Sequence, residues 1–340
     1  MFKKHEEEAR IVKADGKRPV VIKTEVRIDP LTGDTVRITP RRVADPPIDF
    51  DDPLYREVIE ESQTDCPFCP GRIERMTPRF PDDIARGGRF THESSVLFPN
   101  LFPYGRHSAV STFSAAHFIE IGNFTPELYR DNLINTRKYV TRVFEIDLGV
   151  RYAAVTQNYL PSSGGTLVHP HFQINCLLTP TNYLRTLAVS SMDYVIEKGR
   201  NFWEHLIEEE ERAGERLIRR ADGLVWLTPF APRGKREVWA IFEDRSDFRE
   251  LSDDELLFLS RGIVAVQRYW RDCGDNAFNL GIYSIAGAAG SYRLLVRMLV
   301  RTRYAPFARN DQSYFEVILG EAATDEPPEQ IAADVGKYFE

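Results

Sequence analysis

Only four cysteines occur in 340 residues, and two of them fall together in Cys66-Pro-Phe-Cys69 while Cys176 and Cys273 stand alone in apolar surroundings. That usage excludes a disulfide framework of the secreted kind. Basic residues are in deficit as well. With 44 lysines and arginines against 51 acids, the formal net charge of -7 argues against a general nucleic-acid binder and leaves room only for a local phosphate site. Long apolar runs are missing too: no stretch approaches the roughly 18 residues of a membrane span. The first residues, MFKKHEEEARIVKADGKR, are charged throughout and lack the apolar core of a signal peptide. A reducing cytoplasm is the expected compartment, with no nucleic-acid or membrane partner.

What is present is regular and of α+β character. Residues 1–60 mix charged segments with the alternating PVVIKTEVRI and the proline- and aspartate-rich ADPPIDFDDP, which reads as an irregular connector; this part is expected to be peripheral. From about 95 to 180, apolar SSVLFP and HSAVSTFS precede a helix opening at Thr125-Pro126, a cap followed by proline at the first helical position. Tyr129, Leu133, Val140 and Phe144 share one face of that helix, and strands RYAAVTQN and HPHFQINCLL follow. Residues 200–220 form a charged helix in this reading. GLVWLTPF and EVWAIFED read as strands, Ser252 and Glu255 form a capping box for a helix with Leu256, Leu259, Ile263, Val266 and Trp270 on one face, and AFNLGIYS and YRLLVRMLV close the series as strands. The same order of strand, helix, strand, strand thus occurs twice. Such order arises by chance in α+β proteins, but matching element lengths favour a duplicated unit.

The segment GGTLVHPHFQINCLL concentrates polar groups at even spacing. In a strand, His169, His171 and Gln173 line one surface while Pro170, Phe172 and Ile174 face the other. Pro170 cannot donate to a ladder, so the histidines are expected at a sheet edge or a strand entrance. Two of only seven histidines at i, i+2 beside a glycine pair favour a substrate-facing site over incidental surface histidines. The Cys66/Cys69 pair has the tight-turn spacing that brings two thiolates to one zinc. A redox dithiol is the alternative, and prolines after both cysteines count against it. Histidines would have to complete the metal site, with His169 and His117 of FSAAHF as candidates. Gly164 and Gly165, after two serines and before Thr166, offer backbone amides to a phosphate or form an ordinary turn.

Together these pieces resemble the galactose-1-phosphate uridylyltransferase family, a branch of the histidine triad superfamily. CPFCPG is similar to that family's zinc turn, FPNLFP to its nucleotide-contacting segment, and NYLPSSGGTLVHPHFQ to its active-site run. EEERAGERLIRRADGLVWLTPFAP and FEVILGEAATDEPPEQIA are similar to later landmarks. The resemblance implies two fused histidine-triad-like repeats, antiparallel sheets with helices packed on one side, divided as a peripheral segment (1–60), a first repeat with the site (61–180) and a degenerate second repeat (181–335). It implies Cys66, Cys69, His117 and His169 as ligands of one structural zinc and His171 as the nucleophile. Asn158, Gly164, Gly165, Thr166 and Gln173 would contact phosphates and Asn100 the base or ribose.

The implied reaction moves a nucleoside monophosphate, uridylyl by family weight, from a nucleotide sugar to a sugar 1-phosphate through a nucleotidyl-histidine. Phosphorolysis of an ADP-sugar or a diadenosine polyphosphate is one alternative, and a catalytically silent nucleotide-binding protein another. To attack, His171 must be neutral, so its other ring nitrogen needs an acceptor. Gln173 stands where hydrolytic relatives have a third histidine, and an amide cannot serve as a general acid; it suits a leaving group that departs as a stable anion. Phe172 replaces a glycine of the family pattern, Thr166 a serine, and Leu101 a polar residue. In the second repeat the His-x-His becomes Arg293-x-Leu295. Arg293 and Arg297 are candidates to bind phosphate, or else solvent-facing arginines on a sheet. A homodimer is usual among such relatives.

Overall fold

The computed structural model describes residues 1–14, 16, 18–39, 47–304 and 310–339. The chain opens with β1 (Lys3–Val12), β2 (Pro19–Ile28) and β3 (Thr35–Ile38), then α1 (Pro53–Glu61) and α2 (Ile73–Met76). Of the expected connector, residues 44–46 lie outside the described residues. β4 (Phe90–His92), β5 (Ser95–Pro99), β6 (His107–Thr112), α3 (Pro126–Ile146), β7 (Tyr152–Tyr159) and β8 (His171–Leu177) follow. Next come α4 (Asn182–Lys198), α5 (Phe202–Ala213), β9 (Leu217–Ala221), β10 (Leu224–Leu227) and β11 (Lys235–Phe242). After them stand α6 (Asp253–Asp272), β12 (Phe278–Ile285), β13 (Leu295–Val300), α7 (Tyr314–Val317), β14 (Ala322–Thr324) and α8 (Pro328–Gly336). Among the described residues no helix is long and apolar enough to cross a membrane.

Among the described residues, ten strands make one antiparallel sheet in the order β4-β5-β6-β8-β7-β12-β13-β11-β10-β9. The order reads alike from both ends, with β4 matching β9, β5 matching β10, β6 matching β11, β8 matching β13 and β7 matching β12. The two repeats are therefore related by a pseudo-twofold at the β7–β12 seam, where eight residue pairs run from Tyr152–Ile285 to Tyr159–Phe278. A smaller sheet, β1-β2-β3-β14, gathers both chain ends.

The helices form where their caps begin them. Thr125 accepts from the Leu128 amide with Pro126 at the first turn of α3, and Ser252 and Glu255 close a reciprocal capping box on α6. Leu256, Leu259, Ile263, Val266 and Trp270 are all fully buried, each stabilising the fold by about 1.5–3 kcal/mol relative to exposure. α3 and α6 pack together on one face of the sheet. There Tyr129 of α3 donates to Gln157 of β7 (2.8 Å) and accepts from Gln267 of α6 (2.6 Å), so the polar tip of a buried ring ties both repeats to the seam.

α4 and α5 cover the opposite face, but only over the second half, through Leu184, Leu187, Phe202 and Trp203 against Trp239, Ile241 and Leu295. That face of the first half is left for the site. Two sequence expectations need correction. The charged helix expected over 200–220 stops at Gly214, in the left-handed conformation, and Leu217–Ala221 folds as β9; glycine adopts that backbone without strain and ends the helix. Arg293 and Arg297 do not face solvent. Arg293 reaches Glu204 (2.5 Å) and Arg297 grips the fully buried Glu237 (2.5 and 3.1 Å), so neither guanidinium is free for a phosphate.

Candidate active site and metal cluster

The site grows from the junction of β6, β7 and β8. β8 begins at His171, one residue after Pro170, so the proline stands outside the ladder, where its missing N–H costs nothing. The strand entrance was expected; a sheet edge was not what formed, because β8 pairs with β6 on one side and β7 on the other. Phe172, Ile174 and Cys176 point into the helix-covered core. His171 and Gln173 point to the open face, His171 opposite Thr112 and Gln173 opposite Val110 and Thr156. His169 sits in the bend before the strand and stays on the same side, since the Phe68 ring stands nearly perpendicular to both imidazoles, with ring centres 6.0 Å from His169 and 5.3 Å from His171.

Hydrogen bonds settle which nitrogen of His171 is available. Its Nδ1 lies 2.8 Å from the His169 carbonyl oxygen, which can only accept, so Nδ1 carries the proton and Nε2 holds the lone pair. Burial pushes the His171 imidazolium down despite that bond, so the ring is neutral near pH 7. The acceptor that sequence could not identify is thus the backbone two residues upstream.

Cys66, Cys69, His117 and His169 form one buried group with their ligand atoms within 4.8 Å of one another. Cys69 Sγ is 3.4 Å from His117 Nδ1, and both sulfurs are 3.8 Å from His169 Nδ1. A tetrahedral ion with bonds of about 2.0–2.3 Å requires ligand separations of about 3.3–3.8 Å. Both imidazoles are turned to suit. His169 Nε2 donates to the Ser114 carbonyl (2.9 Å), and His117 Nε2 to Ser62 Oγ (2.8 Å), whose own proton goes to the Ile59 carbonyl. Each ring therefore offers Nδ1 to the cluster, with the outer-shell partner that metal-ligating histidines characteristically have. Burial pushes the Cys66 thiol up to about 11 and His169 down to about 4, so a dication taking two thiolates and two neutral imidazoles leaves the pocket uncharged. The residues fit a metal ion.

Between β7 and β8 the chain makes a short 3-10 turn, Pro161–Ser163. Leu160, fully buried, is held at φ 68°, ψ 155°, a region glycine alone occupies freely and one that costs about 1–3 kcal/mol. Gly164 follows at φ 97°. Its N–H bonds the Pro161 carbonyl (3.0 Å), so that amide is not the phosphate donor that the glycine pair suggested. A Cβ on Gly165 would sit 3.1 Å from the Asn158 carbonyl oxygen, so any larger residue would push the turn back from β7 by a few tenths of an ångström. Thr166 is exposed and Asn158 half-buried at the end of β7. Asn100 lies in the β5–β6 loop, where its Oδ1 accepts from the Phe102 amide (3.0 Å), leaving its amino group for other partners. Ser62, Ser114, Phe68 and Thr112 escaped sequence reasoning; only Phe68, inside the cysteine turn, carried any signal.

No family model matches the chain. An uncharacterized protein of Archaeoglobus fulgidus is 31% identical over 338 residues, 99% of this chain and 98% of that protein. ADP-glucose phosphorylase of Arabidopsis thaliana is 24% identical over 76% of this chain and 78% of its own length. A crystal structure of an Arabidopsis thaliana ADP-glucose phosphorylase with bound ADP-glucose superposes with a TM-score of 0.70 at 20% identity, covering 92% of this chain and 99% of that one. A uridylyltransferase structure gives 0.66 at 18% identity, covering 92% and 97%.

Proposed function

We propose that the chain, which shares its fold with a uridylyltransferase and an ADP-glucose phosphorylase, is a nucleotidyltransferase of the galactose-1-phosphate uridylyltransferase-like family working through a covalent nucleotidyl-histidine at His171. The carrying observation is the bond from His171 Nδ1 to the His169 carbonyl, which leaves Nε2 as a neutral, oriented nucleophile. Nε2 attacks the α-phosphorus of a nucleotide sugar, the bond from that phosphorus to the bridging oxygen breaks, and the sugar 1-phosphate leaves as an anion that needs no proton. An incoming phosphate oxygen then displaces Nε2. Gln173, beside His171 on the same face, steadies the phosphoryl oxygens without acting as an acid, and Asn158, Gly165 and Thr166 line the phosphate side. Zinc is the metal this donor set fits; four protein ligands leave it a structural role, tying the 66–69 turn to the chain two residues before His171.

The donor is a nucleoside diphosphate sugar in this reading. The sequence likeness to an ADP-glucose phosphorylase supports an adenine nucleotide with inorganic phosphate as acceptor. Transfer of UMP to a hexose 1-phosphate rests on the motifs and on the shared fold. Intact-mass measurement after exposure to UDP-, ADP-, GDP- and CDP-glucose tests both points: one donor should add a single nucleotidyl mass, and His171→Ala should abolish it. No adduct with any donor, or an adduct that survives His171→Ala, would overturn the mechanism. Release of a nucleoside diphosphate from the adduct by phosphate, rather than of a nucleotide sugar by hexose 1-phosphate, separates the acceptors.

A further inference from the structure

The second repeat supplies no nucleophile in the reading above, yet its polar residues reach the phosphate turn of the first. Asn279 on β12 stands opposite Asn158 on β7 across the seam. Its side chain lies 2.7 Å from the Asn158 carboxamide and 3.0 Å from the Ser163 carbonyl oxygen. Arg301, immediately after β13, places Nη1 2.6 Å from Asn279 and 3.3 Å from the Ser163 carbonyl, and is gripped by Asp311 at 2.6 and 2.8 Å.

The chemistry of the two ends fixes every amide between them. A guanidinium only donates, so the Asn279 atom facing Arg301 is Oδ1. A backbone carbonyl only accepts, so the atom facing Ser163 and Asn158 is Nδ2, in agreement with the first assignment. The Asn158 atom receiving that proton is then Oδ1, and its Nδ2 turns the other way, 4.0 Å from where a Cβ on the exposed Gly164 would be. The order Asp311, Arg301, Asn279, Asn158 is therefore a relay in which each group has one permitted orientation, and it ends on two N–H donors.

Resting on the nucleotidyl-transfer reading, we propose that Asn279 and Arg301 are positioning residues that hold Asn158 with its amino group toward the nucleotide's phosphates and pin the Ser163 peptide of the turn. Left to itself, the Asn158 amide has two nearly equivalent orientations, and the wrong one sets a carbonyl oxygen against a phosphoryl oxygen. Asn279 removes that choice. The degenerate repeat keeps a function at the site without contacting substrate.

The test is Asn279→Asp, whose carboxylate still accepts from Arg301 but presents only an acceptor to Asn158, turning the Asn158 oxygen outward. Binding of ADP, UDP and the parent nucleosides is measured calorimetrically in four proteins: wild type, Asn279→Asp, Asn158→Ala and the double variant. Diphosphate binding should weaken about tenfold or more in Asn279→Asp, nucleoside binding should stay unchanged, and in the Asn158→Ala background the same change should cost less than about threefold. The second background separates orientation of Asn158 from the added negative charge and from the lost Asn279–Ser163 contact, both of which would act equally in the two backgrounds. Asn279→Ala, which frees the amide without adding charge, should show the same coupling at a smaller size and serves if the aspartate variant fails to fold. Equal effects in both backgrounds, or loss of nucleoside and diphosphate binding alike, would overturn the proposal while leaving the His171 adduct of the wild type intact. Absence of any adduct or nucleotide binding in the wild type would instead remove the nucleotidyl-transfer reading and this inference with it.

Discussion

Replacing Cys69 by alanine removes one of four ligands from a cluster whose members come from three separate parts of the chain. His117 follows β6 and His169 precedes β8, and those strands already pair as far as Thr112–His171, so a metal link between the two histidines adds little constraint. The Cys66–Cys69 turn is different: it belongs to no sheet, and its link to His117 closes a loop of 48 residues. Closing a loop of that size removes about 4 kcal/mol of unfolded-state entropy at 25 °C. At about 1.4 °C per kcal/mol for a chain of this length, the variant should melt roughly 6 °C lower, as should the wild type stripped by a chelator. Metal content should fall from one ion per chain to none by elemental mass spectrometry, and cobalt substituted into the wild type should show the intense visible bands of a tetrahedral thiolate site. Since Phe68 packs against the His171 ring from inside the same turn, adduct formation should slow at least about tenfold, the scale on which misplaced catalytic groups act. A stripped protein or Cys69→Ala variant that melts within about 2 °C of wild type and forms adduct at the full rate would refute a metal-positioned nucleophile.

Gly165→Ala should shift the turn by a few tenths of an ångström, because the added Cβ meets the Asn158 carbonyl oxygen at 3.1 Å; adduct formation should drop about tenfold with the melting temperature nearly unchanged, read by rapid-quench intact mass. Glu329 gives a pH signature in stability. Burial alone would raise its carboxyl, but hydrogen bonds from Arg27, its own backbone amide and Arg216 overcome this and hold it at about 2 against an ordinary 4.5. The folded value lies below the unfolded one, so its contribution is complete above pH 4.5 and is lost as the pH falls toward 2. With the partial exposure of the group discounted, about 2–3 kcal/mol should disappear over that range in denaturant titrations of wild type and be missing from Glu329→Gln. Glu237→Gln leaves Arg297 buried beside a neutral amide, and should cost about 3–5 kcal/mol of stability while the folded fraction still forms the His171 adduct.

Much of the fold is legible from sequence because the signals there are local. The Thr125-Pro126 start, the Ser252/Glu255 box and the apolar stripe of α6 each follow from residues within two turns of one another. Elements without such signals are not legible. Every residue of β1 is exposed and most are charged, so it has no alternation to read, and only its full pairing with β2 makes it a strand. α4 buries just Leu184, Leu187 and Ser191, too few to mark a face. Arg293 and Arg297 show the opposite failure: on a sheet read alone they look solvent-facing, and the carboxylates that claim them lie 89 and 60 residues away in α5 and β11.

The same contrast explains the site. The proposed metal ligands and nucleophile sit in three short segments, and their residue types announce the chemistry. The groups that support the site do not: Ser62 and Ser114 act on the imidazoles through a hydroxyl and a backbone carbonyl, and Asn279 and Arg301 reach Asn158 and the Ser163 carbonyl from the other repeat across the seam. A serine, an asparagine or an arginine is common everywhere, so nothing about its identity marks it; only the pairing of β7 with β12 brings Asn279 to Asn158. The seam therefore has two consequences at once. It joins the repeats into one core through Tyr129, Gln157 and Gln267 on the helical face, and on the open face it lets the half without a His-x-His pair hold the phosphate turn of the half that has one.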